Sequence, residues 1–291
     1  MKSESFPALF QAADTQSNDS QNTYLNYVRI QYILLVFASI CAFLASHYQI
    51  WKLIYVAVLT ASAVALLFMS TAKPEKDWYK FRALAESVKT RTWLFISGGD
   101  PFGLSLGAAK AEEDFLTDLD QILDANAHVR DRIRSFPVSG NQISDEMRRI
   151  RSQALDQRKS NYLSERIQDQ KNWYQKKSDW NDRKFRVWVT FAIVIHVAAI
   201  SYVLFATPKL LQAFSLPVEF LLVSASAVLG WIQIKRFNEL AASYALAAHE
   251  ISMAEERLKH IDKEGDFAKF VAEAELLFSR EHTQWAARQP N

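Results

Sequence analysis

A few residues able to move protons or hold ions lie inside long stretches that carry almost no charge. His196 is near the middle of one such stretch. Its reference pKa of about 6.5 puts it within reach of physiological pH, and an ionisable group inside an apolar segment is a functional hypothesis by default. Ser39, Ser62, Ser201, Ser224 and Ser226 place hydroxyls in the same kind of surroundings. They suit either a hydroxyl-lined pore or hydrogen bonds across helix interfaces. Glu219 stands at the start of an apolar stretch, two residues after Pro217. Repeated around an oligomer it would favour cations at a pore mouth. Alternatively, an acid in the first turn simply complements a helix dipole, and a neutral histidine bonds to a neighbouring helix.

The elements that must position these groups are apolar stretches arranged as two widely separated pairs. Residues 30–51 and 53–72 form one pair, and 187–208 and 220–234 the other. A bilayer core of about 30 Å takes roughly 20 apolar residues as a helix. The first three stretches meet that length, and the fourth does so only with Glu219 or Gln233 at its edges. The whole-chain net charge of +2 conceals this, because the remainder is strongly polar. Lys73, Lys76, Lys80 and Arg82 follow the second stretch. Lys171, Lys176, Lys177, Arg183, Lys184 and Arg186 precede the third, and Lys235 and Arg236 follow the fourth. The hairpin loops carry only Lys52 and Lys209. The positive-inside rule therefore predicts both termini and the central region on the cytoplasmic side, with short loops at 49–52 and 208–216 outside. The polar N-terminal segment is not a cleavable signal by pattern. Low hydrophobicity predicts disorder over residues 1–20.

The rest reads as helical, so the expected fold class is all-α. Residues 141–207 contain no glycine or proline, enough for a helix of roughly 100 Å if unbroken, with Ser160-Asn161 a candidate interruption. Helices are also expected over 112–133, with Phe115, Leu116, Leu119, Ile122, Leu123 and Val129 on one face, over 235–261 and over 266–285. Gly98-Gly99-Asp100-Pro101 and 137–140 read as turns, and Gly265 as the end of the helix over 235–261. A weak internal repeat is visible: Ala-Ser-Ala-Val occurs at 61–64 and 225–228, and Phe-x-x-Leu-Ala-x-Ser at 81–87 and 237–243. The gap between the two motifs differs by about eight residues in the two copies.

No GxxxxGK[ST] or GxGxxG loop is present, and no His/Cys cluster at zinc spacing. Cys41 is the single cysteine, so no disulfide forms within the chain. An enzyme, a cofactor, a metal and a nucleic-acid partner are not expected. The basic run Arg148, Arg149, Arg151, Arg158 and Lys159 alternates with acids and reads as a solvated helix face, with phosphate binding the sharper alternative.

Two segments beside the apolar pairs carry a denser pattern. After the first pair come Trp78-Tyr79, then Arg82-Ala83-Leu84-Ala85-Glu86-Ser87-Val88-Lys89-Thr90, Trp93 and Asp100-Pro101-Phe102. Before the second come Tyr162-Leu163, Arg166-Ile167, Asp169-Gln170, Trp173-Tyr174, Lys177 and Asn181. Arg82 and Glu86 can pair at i, i+4. Arg166, Gln170, Trp173, Tyr174, Lys177 and Asn181 fall on one face of a regular helix, with Trp173 as its expected apolar anchor. Both segments resemble the SLATT families, the SMODS- and SLOG-associating two-transmembrane effectors. The second is similar to a member known also as a domain of unknown function. The resemblance implies a tandem plan: modules at 21–102 and 159–285 joined by a helical linker over 103–158. It implies a pore-forming effector of a bacterial conflict, anti-phage system in the inner membrane. That effector would assemble as a homo-oligomer in the lipid bilayer and answer to a nucleotide-linked or partner sensor. On this reading Arg82, Glu86, Ser87, Lys89, Trp93, Arg166, Gln170, Trp173, Tyr174 and Lys177 form a coupling surface. The competing reading is a membrane-anchored scaffold whose cytoplasmic helices bind partners.

Overall fold

The computed structural model describes residues 1, 3–126, 140–205 and 218–287, with side chains placed up to residue 279. The described residues are overwhelmingly helical and contain no strand. The helices are α1 (Ala8–His47), α2 (Gln49–Ala72), α3 (Pro74–Ser97), α4 (Ala108–Ala125), α5 (Asp145–Arg151), α6 (Leu155–Tyr162), α7 (Asp169–Phe205), α8 (Val218–Lys235), α9 (Phe237–Lys259) and α10 (Glu264–Ala287). A π-helical turn, Leu163–Gln168, joins α6 to α7 without a break. Expectations placed on Val129, Ile133, Pro137, Thr207, Pro208, Lys209, Pro217 and the 208–216 loop lie outside the described residues.

The chain divides into two compact units. The polar unit comprises residues 1–22, 74–174 and 246–291, and the span unit comprises 23–73 and 175–245. Four helical stretches are long and apolar enough to cross a membrane, with apolar windows in Ala8–His47, Gln49–Ser97, Leu155–Phe205 and Val218–Lys259. Only 6–17% of each apolar window is buried within the protein, so their outward faces match lipid rather than water.

The polar unit is built around α3. Pro74 at its first position presets φ, and Glu75 and Asp77 complement the dipole. Its inner face buries Phe81, Leu84, Ala85, Val88, Trp93, Leu94, Phe95 and Ile96. Each large apolar side chain so buried is worth roughly 1.5–3 kcal/mol before entropy is counted. The helix stops in a Schellman turn. Gly98 has φ 70°, and the Gly99 N–H donates to Leu94 O at 2.8 Å. A Cβ on Gly98 would lie 2.9 Å from Arg158 Nη1.

Several expectations are corrected here. Residues 8–20 are helical, and the N-terminal segment buries Phe6, Ala8, Leu9, Phe10 and Ala13. The first N–H groups of α1 find acceptors: Ala8 N–H donates to Asn141 O at 3.3 Å, and Leu9 N–H to Gln142 Oε1 at 3.2 Å. Five apolar side chains and a capped helix start outweigh the polar composition that predicted disorder. The 141–205 segment breaks between α5 and α6, around Ser152–Ala154, and runs on through Ser160-Asn161. Gly265 lies in the first turn of α10 rather than ending α9. The helix expected over 235–261 is divided at Arg236, which has φ 48°.

In the span unit, α1 and α2 pack through Ala38, Cys41 and Val58, with Leu34, Trp51, Ile54 and Tyr55 around them. Helix α8 meets α1 where Gly230 faces Tyr32, whose hydroxyl occupies the place a Cβ would take. Arg29 lies over the Trp231 ring at 5.4 Å, and Trp188 of α7 meets Trp231 at 6.4 Å. Helix α1 therefore has both α2 and α8 as neighbours, and α8 links it to α7.

The internal repeat has a structural counterpart. The second span of each pair ends in a basic residue with left-handed backbone, Lys73 (φ 44°) and Arg236 (φ 48°). The repeated phenylalanines Phe81 and Phe237 are both buried. Phe81 comes eight residues after Lys73 and Phe237 directly after Arg236, which accounts for the spacing difference between the copies.

Candidate functional site

The densest set of interacting charges in the described residues is in the polar unit, and the two sequence segments meet in it. Helix α3 supplies Arg82, Glu86, Lys89 and Trp93 at spacings of four, three and four, so all four share one face. The π turn supplies Arg166. A π turn takes up more residues than an α turn, and such turns recur at functional positions. Here Arg166 and Ile167 are both buried inside it, at 2% and 0% exposure.

Glu275 of α10 completes the cluster and is fully buried. Arg166 donates from Nε to Glu275 Oε1 at 2.8 Å and from Nη2 to Oε2 at 2.6 Å. The Tyr162 hydroxyl donates to Oε1 at 3.0 Å. This bidentate fork is the strong form of a carboxylate–guanidinium pair. Arg166 lies over the rings of Phe278 at 4.6 Å and Trp93 at 5.9 Å. Burial opposes its charge, but the Glu275 carboxylate holds the guanidinium firmly protonated. Burial, with the adjacent Glu275 charge, pushes the Tyr162 phenol well above its ordinary range. Arg82 pairs with Glu86 at 2.7 Å and Asp14 at 3.3 Å. Burial lowers the Lys89 ammonium below its usual value, a shift that Glu86 opposes and Arg166 reinforces.

A second pair of arginines closes the end of α3. Arg151 Nη1 donates to Phe95 O at 2.6 Å and Phe102 O at 2.8 Å. Arg158 Nη1 donates to Ser97 O at 2.5 Å, and its Nη2 to Glu264 Oε2 at 2.5 Å. Cations at a helix C-terminus satisfy both its carbonyls and its dipole. The solvated-face expectation is thus overturned for Arg151 and Arg158, at 6% and 1% exposure. It holds for Arg148 and Arg149, which pair on the surface with Glu112 and Glu146.

The structure divides the remaining expected residues. Tyr174 is the buried aromatic at 2% exposure, while Trp173 is 36% exposed, so Tyr174 is the anchor in place of Trp173. The π turn shifts the register between Tyr162 and Gln170, which the regular-helix projection did not include. Ser87 is exposed and Gln170 half-buried. Lys171 and Gln168 both donate to Glu255, the latter at 3.0 Å. In the span unit Lys177 is exposed, with its ammonium 5.9 Å from the Trp180 ring, and Asn181 is buried.

The intramembrane candidates do not converge on one point. Ser62 is buried and accepts a hydrogen bond from Gln31 Nε2 at 2.7 Å. Gln31 was not singled out in the sequence, although it is an amide within an apolar stretch. Ser39 and Ser224 donate back to carbonyls of their own helices, Val36 O and Phe220 O, both at 2.7 Å. Ser201, Ser226, His196 and Glu219 face outward. His196 Nδ1 lies 2.8 Å from Ala192 O, so its other ring nitrogen is the one presented outward. Among the described residues, no group of three or more His, Cys, Asp or Glu side chains is placed to hold a metal.

Paired membrane-length helices, each pair linked to a polar helical unit with a buried charge network, define a class of two-transmembrane modules. Residues 7–159 match the family described as SMODS and SLOG-associating 2TM effector domain 3, and residues 162–285 match SMODS and SLOG-associating 2TM effector domain 1. The chain is a tandem member of the SLATT family. No curated protein and no solved structure matches it.

Proposed function

We propose that this protein is a pore-forming membrane effector of a bacterial conflict, anti-phage system. Several copies assemble in the inner membrane, with both termini cytoplasmic, and permeabilise it when a nucleotide-linked or partner sensor triggers them. One observation carries this reading: His196 faces outward near the middle of the apolar stretch that ends α7, among exposed Ile193, Val194, Val197 and Ile200. An ionisable ring facing lipid at that depth is costly, whereas one facing another copy or a water-filled path is not. The placement of Ser201 on the outward side of the same helix supports the same assignment. Family membership gives the effector role its context, since both matched domains are described as two-transmembrane effectors.

The scaffold reading draws on a different observation. Ser39, Thr60 and Ser224 all bond to carbonyls of their own helices, as hydroxyls do when a span only anchors. The test is membrane potential in bacteria expressing the intact chain, a chain lacking residues 187–235, and His196→Leu and Ser201→Leu variants, each checked for insertion. Depolarisation by the intact chain, lost without the second pair and altered by the leucine variants, supports the pore. If the leucine variants match the intact chain, or if nothing depolarises with candidate sensors co-expressed, the spans are anchors.

A further inference from the structure

Three hydrogen-bond donors in the polar unit are left over when its ion pairs are drawn. Arg166 directs Nε and Nη2 at Glu275, so the planar guanidinium turns Nη1 away from that carboxylate. Arg166 Nη1 is buried and has no partner among the described residues, and neither has Trp93 Nε1. Both side chains are 2% exposed, and the guanidinium lies over the Trp93 ring. Lys89, one helical turn before Trp93 on α3, is the third. It is half-buried and makes no ion pair among the described residues, because Glu86 is taken by Arg82 and Glu275 by Arg166. A buried donor without an acceptor is unfavourable.

We propose that Arg166 Nη1, Trp93 Nε1 and Lys89 Nζ form a binding site for one small inorganic anion of the size of chloride. The donor set fits it. The three groups present only N–H hydrogens, two of the side chains are cationic, and the neighbouring carboxylates are committed elsewhere. A halide accepts from several directions at once, which a single carbonyl or hydroxyl does not. The anion would complete a charge layer that joins α3, the π turn and α10. Its occupancy would therefore couple ionic conditions to the packing of those elements. The charged groups around Lys89 are Glu86 and Arg82 on α3, Arg166 on the π turn and Glu275 on α10. Because the anion favours the protonated ammonium, binding tightens as pH falls through the lowered Lys89 pKa and weakens above it. The inference does not depend on the pore reading.

The test uses the full chain in nanodiscs in gluconate buffer at constant ionic strength, titrated with chloride. The expected result is a saturable rise in Tm that disappears in Lys89→Met and returns in Lys89→Arg. Should Lys89→Met not fold, bromide-soaked crystals of the unaltered chain decide the question: an anomalous peak within contact distance of Trp93 Nε1 and Arg166 Nη1 is expected. No chloride-specific shift, an equal shift in Lys89→Met, or density for water alone would overturn the proposal.

Discussion

The two units bury different chemistry. The polar unit places an ion pair, two arginine caps and a tyrosine hydroxyl at its centre, and nearly all of these groups have partners. The span unit buries mainly small and apolar residues, Ala38, Cys41, Val58, Ala192, Ala199, Ala225 and Val228, and leaves most of its apolar surface outward. In water the polar arrangement specifies where helices meet, because a misplaced charge is left unpaired. In lipid the apolar surface costs nothing, and close approach of small residues decides the contacts.

The largest expected break in that comparison is at Glu275. Glu275→Ala leaves Arg166 buried without its carboxylate, at a cost of roughly 3–5 kcal/mol. Thermal unfolding in nanodiscs should show a Tm lowered well beyond any change in the span unit. The double change Arg166→Met with Glu275→Leu should recover much of the loss, since paired removal abolishes the uncompensated charge.

Next in size are two glycines, one per unit. Gly98→Ala combines a positive φ with the Arg158 contact and should cost about 1–3 kcal/mol. Gly230→Ala forces Tyr32 to move, an overpacking cost of about 1–3 kcal/mol. Gly230→Ala with Tyr32→Phe, which removes the colliding hydroxyl, should lose less than Gly230→Ala alone when the variants are compared by unfolding.

A smaller effect is expected for Ser62→Ala, which removes the Gln31 hydrogen bond. Intramembrane bonds of this kind average about 0.6 kcal/mol, so a thermal shift near the detection limit is predicted. The smallest is a pH effect at Glu255. Hydrogen bonds from Lys171 and Gln168 hold its carboxyl below the usual range. A depressed folded pKa gives stability that is present above the unfolded value and lost as pH falls through the folded one. Glu255→Gln should lower the neutral plateau of a Tm-against-pH curve slightly and flatten its acid limb, so that the two chains converge at low pH.

The spans, the helical class and the family were legible because each rests on local pattern: charge-free runs, missing strand periodicity, and residues close together in sequence. Lys89, Trp93 and Arg166 could be picked out for the same reason. Glu275 could not, because one glutamate in a helix more than a hundred residues from Arg166 carries no local mark. Arg151 and Arg158 were hidden among surface charges, since a capping arginine and a solvated one read alike until the helix end they meet is known. The π turn is one extra residue in a run that reads as plain helix. Phe6, Leu9 and Phe10 were the overlooked signal for the ordered N-terminal segment, an apolar cluster diluted by polar neighbours.

That extra residue at 163–168 makes the polar unit sensitive to counting rather than to chemistry. Deleting one residue there would return the turn to α period and swing α6 by about 100° relative to the start of α7. Arg158 and Tyr162 would then face solvent while Tyr174 stayed buried. Any single substitution in the turn keeps the count. Insertions and deletions should be excluded from this turn far more strictly than substitutions.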